Sequence, residues 1–259
     1  MANPALGASA TAGGYGTSFT TTAVATQASG SSFVVFVAGN AAINAPTDSA
    51  GNTYVLKGSG TYTDNSNTFP YSIYVALNGT GSSTHTVTAS EASTGNSLVV
   101  LFIEIKNAAT LQALPTPTSS TGSATVTCPA VTPSAVPAYI LSLAANLSDA
   151  VYSAPTDGFS IVAQLESGDS QMTAASAGIA VTTSVSYQTA MTLSVSEGWT
   201  ANTLVFTGGA TFTPQPVKSG GKLLISNGKV LTGALLLMPL SWTINRRNKR
   251  AAERLGRRK

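Results

Sequence analysis

Charge is scarce in this chain. Asp, Glu, Lys and Arg make up 9% of the residues, against roughly 25% in an ordinary globular protein, so few groups are available for acid–base work or ion pairing. There is one histidine, His85, which excludes zinc sites built from several imidazoles. There is one cysteine, Cys128, which excludes an intrachain disulfide. The sequence has no G-x-S-x-G elbow, no phosphate loop and no dinucleotide fingerprint. Long apolar runs are missing too: the longest, Val230 to Ile244, holds Pro239 and several polar residues and falls short of the ~20 residues that span a bilayer. No Lys or Arg precedes Lys57, and Gly, Ser and Thr interrupt every early apolar run. A secretory leader is therefore not expected, and assembly in the cytoplasm is.

What replaces charge is serine, threonine, alanine and glycine, set among many Val, Ile and Leu. Apolar residues reach 43%, the reverse of the low-hydrophobicity, high-charge signature of disorder. The few charges are segregated. Through Thr213 there are two cations, Lys57 and Lys106, and nine acids, so that part carries 2 − 9 = −7. From Pro214 onward there are eleven Lys or Arg and one acid, Glu253, giving 11 − 1 = +10.

The chain also repeats itself. His85–Val100, HTVTASEASTGNSLVV, aligns without a gap on Met191–Phe206, MTLSVSEGWTANTLVF, with seven identities in sixteen positions at an offset of 106. The same offset pairs FVVFVAGN (Phe33–Asn40) with YILSLAAN (Tyr139–Asn146), and APTD recurs at Ala45–Asp48 and Ala154–Asp157. The organisation expected from these matches is a first domain over 1–113 with a flexible N-terminal arm around Gly13-Gly14-Tyr15-Gly16. A Pro- and hydroxyl-rich linker over 114–122, a second domain over 123–213 and a basic segment over 214–259 follow.

Within each repeat the pattern is β. Tyr71–Leu77 alternates, Asn78-Gly79 turns the chain, and Thr84–Ala89 alternates in the opposite sense, which predicts a hairpin. Ser97–Ile105 and Thr203–Phe206 read as buried strands. The expected class is all-β: two tandem immunoglobulin-like or jelly-roll sandwiches, followed by a basic hairpin and tail. Asn227-Gly228 inside KLLISNGKVL (Lys222–Leu231) is the strongest hairpin signal in the chain.

Candidates for chemistry are few. His85 shares strand parity with Val87 and has Met191 as its counterpart, which points to packing rather than catalysis. Cys128 sits in an apolar strand context, where thiols are usually inert. Asp48 and Asp157 fit turn closure by their side chains, with loop calcium as the alternative. No catalytic, metal or cofactor site is expected. Tyr15, Tyr54, Tyr62, Tyr71, Tyr74 and Trp199 raise the question of sugar stacking. Trp199 is the best glycan contact, because Ser93 stands at its place in the first repeat.

The basic segment has three readings: a solvated tail, a docking segment, or a membrane-surface anchor. Docking is favoured because an exposed Leu235-Leu236-Leu237-Met238 invites aggregation unless a partner covers it. Leu235, Leu236, Leu237 and Trp242 would be buried, while Arg246, Arg247, Arg250 and Arg254 would pair with acidic groups or phosphates. Sequence-specific nucleic-acid binding is not expected, and a membrane anchor is disfavoured.

APTDSAGNTYVL (Ala45–Leu56) resembles the D-S-x-G-N-x-Y segment of β-sandwich modules in tailed-bacteriophage virion proteins, as does the following T-x-T-V-T-A-S pattern. SGGKLLISNGKVL is similar to hairpins that end many phage particle proteins. The resemblance implies an immunoglobulin-like virion component: a capsid decoration, head fibre or tail protein. It would be present in many copies, partnered by other virion proteins with host glycans as further candidates, and would carry no catalytic residues. The alternative is a carbohydrate-binding or adhesin module of a bacterial surface protein. Asp157-Gly158-Phe159 departs from the motif in the second repeat.

Overall fold

Runs such as FVVFVA (Phe33–Ala38) and LVVLFIEI (Leu98–Ile105) place apolar side chains at both strand parities, so a sheet built from them must be covered on both faces. The computed structural model describes residues 2–64, 67–93, 97–167 and 172–208, with strand residues 218–219, 222–223, 225–226 and 229–230 beyond. It divides into Met1–Gly209 and Ala210–Lys259. Among the described residues the secondary structure is all β, in antiparallel sheets compatible with a β-sandwich.

The first repeat supplies β1 (Ala5–Tyr15), β2 (Ser18–Thr20), β3 (Ser31–Gly39), β4 (Thr47–Asp48), β5 (Val55–Asp64), β6 (Asn67–Gly79), β7 (Val87–Ser90) and β8 (Ser97–Lys106). After β9 (Thr110–Leu111), the second supplies β10 (Thr118–Thr127), β11 (Ala138–Asn146), β12 (Tyr152–Ser153), β13 (Ser160–Glu166), β14 (Thr173–Val181) and β15 (Ala190–Thr207). The two large sheets have the same strand order: β1-β8-β3-β6-β5 and β10-β15-β11-β14-β13.

These sheets pack on each other. Val34, Phe36, Leu101 and Ile103 from the first share one buried cluster with Leu141, Leu143, Leu204 and Phe206 from the second. The opposite parity of the first sheet, Phe33, Val35, Val100 and Phe102, packs with Val87 and Ala89 of the small sheet β2-β7-β4. On the far side of the second sheet, Ile140, Ala144 and Val205 pack with Tyr152, Phe159 and Leu193. Each such side chain stabilises the fold by roughly 1.5–3 kcal/mol on burial.

The duplication is not a copy in register. Gly39 pairs with Leu98, but Ala145, its counterpart at offset 106, pairs with Thr200 rather than with Leu204. Leu98 packs on the small-sheet side, whereas Leu204 lies in the shared core. The slip is an even number of residues and so does not itself exchange faces; the second repeat presents the opposite parity on both strands, Ile140 packing on the far side where Val34 lies in the shared core. The second repeat runs an 18-residue β15 where the first has β7, a loop and β8, and this continuous strand resets the register.

Three expectations change at this level, and one, the pairing around Asn227-Gly228, is met. Tyr71–Leu77 lies in β6, but β6 pairs with β3 and β5, while β7 pairs with β2 and β4. The alternation of β7 marked its buried face, but β6 is buried at both parities through Ala76 while Leu77 is exposed, and the expected pairing fails because the chain after Asn78 (φ 51°) crosses to the other sheet. The glycines of the expected flexible arm, Gly13 and Gly14, are strand residues of β1 paired with β8. A Cβ at Gly13 would lie 2.7 Å from the Leu98 carbonyl and 3.1 Å from the Leu165 side chain, so glycine there permits close packing. In the expected linker, Leu114 packs against the shared core, and the residues from Thr118 onward belong to β10. In the C-terminal unit, Ile225–Ser226 pairs with Lys229–Val230 on either side of Asn227-Gly228.

A buried carboxylate fastens β1. Glu104 on β8 is fully buried; its Oε2 accepts from Ala8 N at 2.9 Å, and its Oε1 accepts from Gln27 N at 2.8 Å and Ser31 Oγ at 2.6 Å. The ladder slips between Leu6 and Ser9, which brings Ala8 N onto the carboxylate. A Cβ on Gly7 would fall 2.2 Å from Oε2.

Because one cluster serves both repeats, Leu141→Ala is expected to cost about 3 kcal/mol and to destabilise residues of both repeats together. Urea unfolding followed by hydrogen exchange in each repeat checks this. Two separated transitions would contradict a common core.

Candidate functional site

The densest polar cluster in the described residues forms where the turn after β4 meets the residue leading into β7. Asp48 ends β4, and its side chain closes the following turn: Oδ1 accepts from Ala50 N at 3.1 Å and from Asn52 N at 2.9 Å. Oδ2 accepts from Asn52 Nδ2 at 2.7 Å, Tyr54 OH at 3.0 Å and His85 Nε2 at 2.9 Å. Gly51 takes φ 73°, a backbone conformation that glycine adopts without cost. Asn52 reaches on to Thr80, donating to its carbonyl at 2.9 Å and accepting from its N–H at 2.8 Å. Asp48, Gly51, Asn52 and Tyr54 are the named positions of the D-S-x-G-N-x-Y pattern, so that motif has a physical content here: it builds a carboxylate-centred turn. This is the turn role expected of Asp48. Asp157 is instead exposed, with φ 56°.

His85 is the hub. Its side chain and that of Asp48 are both 0% exposed. Phe33 and Phe102 flank the imidazole with ring centroids at 4.8 and 4.9 Å, and Nδ1 lies 2.9 Å from Thr26 Oγ1. Three segments are thereby joined: 24–27, 48–54 and 80–86. Burial alone would raise the Asp48 carboxyl, but the bonds from Asn52, His85 and Tyr54 outweigh it and hold its pKa below the usual carboxylate value. The Tyr54 phenol is pushed up by its own burial and by the Asp48 charge.

Hydroxyl, imidazole and carboxylate stand here in the order of a hydrolytic triad, but the surroundings oppose that use. Thr26 Oγ1 already accepts from Ser82 N at 3.0 Å. The neighbouring N–H groups that an oxyanion would need are engaged, Gln27 N by Glu104 and Gly81 N by the Ala28 carbonyl. The imidazole is sealed by phenyl rings. The cluster is a latch that closes one end of the first repeat.

Other candidates take structural places. Glu91 is buried, and its Oε2 accepts from Asn40 N at 3.1 Å and Ala41 N at 2.9 Å. Cys128 is buried with its thiol pushed up to about 12, chiefly by burial, and is therefore unreactive at neutral pH. Tyr54, Tyr62, Tyr71 and Tyr74 are buried, while Tyr15 is exposed. Trp199, expected as a glycan contact, is 5% exposed and packs in the core of the second repeat. At that burial its ring has no exposed face on which a sugar could stack. Among the described residues no three His, Cys, Asp or Glu side chains converge in a way that could hold a metal ion. Leu235, Leu236, Leu237, Trp242, Arg246, Arg247, Arg250 and Arg254 lie outside the described residues. Sequence reasoning missed the Asp48–His85–Thr26 connection. The spacing of D-S-x-G-N-x-Y was its one visible trace, because partners 37 and 59 residues away leave no local pattern. Comparison with family models, curated proteins and solved structures finds no match to this chain.

Asp48→Ala is expected to cost about 3 kcal/mol, because four buried donors and an imidazole lose their acceptor. His85→Met, which installs the second repeat's residue, should cost less, and the double variant should fall short of the sum. Denaturant titration of the three variants measures this.

The sign of the pH dependence follows from the depressed Asp48 value. Its stabilisation is complete above the unfolded-state pKa of about 3.9 and is lost as pH falls through the lower folded value. Wild-type thermal midpoints should therefore drop below about pH 4, more steeply than those of Asp48→Ala.

Proposed function

We propose that this protein is a non-enzymatic structural component of a tailed-bacteriophage particle, a capsid decoration, head fibre or tail protein. It docks through residues 214–259 and displays two immunoglobulin-like or jelly-roll sandwiches. The observation that carries the reading is the partition of the chain: a β body ending at Gly209 with all but two of the cations beyond it. A body stiffened by a shared core and three inward carboxylates suits display, because it keeps its shape without cofactors. A segment carrying +10 suits attachment to an acidic protein surface, where complementary charge speeds encounter and fixes orientation. Many copies on one particle would let weak outward contacts, to host glycans among others, add by multivalency.

The test is truncation after Thr213. The shortened chain should keep the thermal midpoint of the body and be lost from purified particles that retain the full chain. Exchanging Arg246, Arg247, Arg250 and Arg254 for Glu in the full chain should lower occupancy about tenfold or more, in a salt-dependent manner. Particles carrying the truncated chain at normal occupancy would refute attachment through this segment.

A further inference from the structure

The stack of the two large sheets is packed along both flanks, and one of them holds a local cleft. On the first flank β1 lies against β13: Ser9 Oγ donates to the Val162 carbonyl at 3.3 Å, and Gly13 sits against Leu165. On the other flank the edge strands β5 and β10 meet, leaving between them a cleft of about 370 Å³ lined by Thr61, Tyr62, Thr63, Ser119, Ser120 and Thr121. That volume is at the low end of the roughly 300–1,000 Å³ of small-molecule sites, which favour junctions between repeats or domains.

The chemistry of the lining is uniform. All six side chains carry a hydroxyl, and none carries a charge. Each hydroxyl offers one donor and up to two acceptor positions, and the outer backbone edges of β5 and β10 have no strand neighbour in their sheets. β10 slips register between Ser120 and Ser123 and again before Thr125, and such bulges re-aim side chains beside binding sites. Tyr62 is 2% exposed and closes the floor of the cleft, with its phenolic oxygen buried in the shared core. A charged ligand would lose hydration here without meeting a counter-charge, and an apolar one would leave the hydroxyls unpaired. A molecule that is itself covered in hydroxyls meets both conditions.

We propose that this cleft binds a short, neutral saccharide. The site uses residues of the β body alone, so it stands or falls separately from docking through the basic segment. The test uses the full chain, labelled for amide NMR and titrated with maltotriose, cellotriose, chitotriose and lactose, with sialyllactose as a charged control. At least one neutral sugar should shift the amides of 61–63 and 119–121. Thr61→Ala with Ser119→Ala should weaken that sugar about tenfold, equivalent to about 1.4 kcal/mol, with an unchanged melting curve. The proposal is overturned if no neutral sugar shifts these amides at about 10 mM, well above a millimolar Kd. It is equally overturned if the shifts lie elsewhere, if sialyllactose binds as well as any neutral sugar, or if the double variant binds normally.

Discussion

Strands β3, β8 and β11 carry apolar side chains at both parities, so each large sheet has to be covered on two faces. Packing the two sheets on each other covers one face of both at once, through Val34, Phe36, Leu101, Leu141 and Phe206. The remaining faces are covered locally, by β2-β7-β4 in the first repeat and by the Tyr152, Phe159 and Leu193 layer in the second. A single repeat would present a sheet face of fully buried side chains to water, which at roughly 25 cal/mol per Å² is a penalty that a domain of about 100 residues, stable by some 5–15 kcal/mol, cannot carry. The duplication is therefore a folding requirement of this sequence as well as a feature of its ancestry.

The scarcity of charge acquires a structural meaning once the carboxylates are placed. In the first repeat Asp48, Glu91 and Glu104 all turn inward and accept from backbone N–H groups of turns and bulges. A charged acceptor makes stronger hydrogen bonds than a neutral one, so three residues fix the turn after β3, the turn after β4 and the bulge in β1. The second repeat does comparable work with neutral groups. Asn146 donates to Ser148, and Thr203 Oγ1 donates to the Pro129 carbonyl. Its acids Asp149, Asp157 and Glu166 lie exposed, so the negative charge of the body's surface belongs mainly to that repeat.

How much of this was legible beforehand depended on the range of each interaction. The all-β class and the buried strands at Ser97–Ile105 and Thr203–Phe206 follow from local patterns that burial imposes on a strand. The repeat was visible because its blocks kept their order and spacing. The partner of β7 was not visible, since alternation identifies a buried face without naming the strand opposite. Nor was the strand character of Gly13-Gly14: glycine reads as flexibility in sequence, but here it answers a close approach of Leu98 and Leu165. Trp199 misled for a related reason. Its absence from the first repeat suggested a surface role, whereas the longer β15 simply gave the second repeat a different core to fill.

The latch bears on what the sequence resemblance means. In the second repeat the residue in the place of His85 is Met191, and Phe159 follows Asp157-Gly158 where the first repeat runs on to Asn52 and Tyr54. The corresponding end is nonetheless closed, by Thr156: its Oγ1 accepts from Ala190 N at 3.0 Å, and its carbonyl accepts from Thr189 Oγ1 at 3.2 Å. Two chemically unlike devices thus meet one requirement, that the loops at this end of each repeat be tied to the strand leading into the sheet. It follows that D-S-x-G-N-x-Y reports loop closure and carries no ligand chemistry of its own. The role proposed for this protein therefore has to rest on other ground. That ground is the separation of a net-negative, doubly covered β body from a strongly basic terminus, because no packing demand of the body explains why the cations lie outside it.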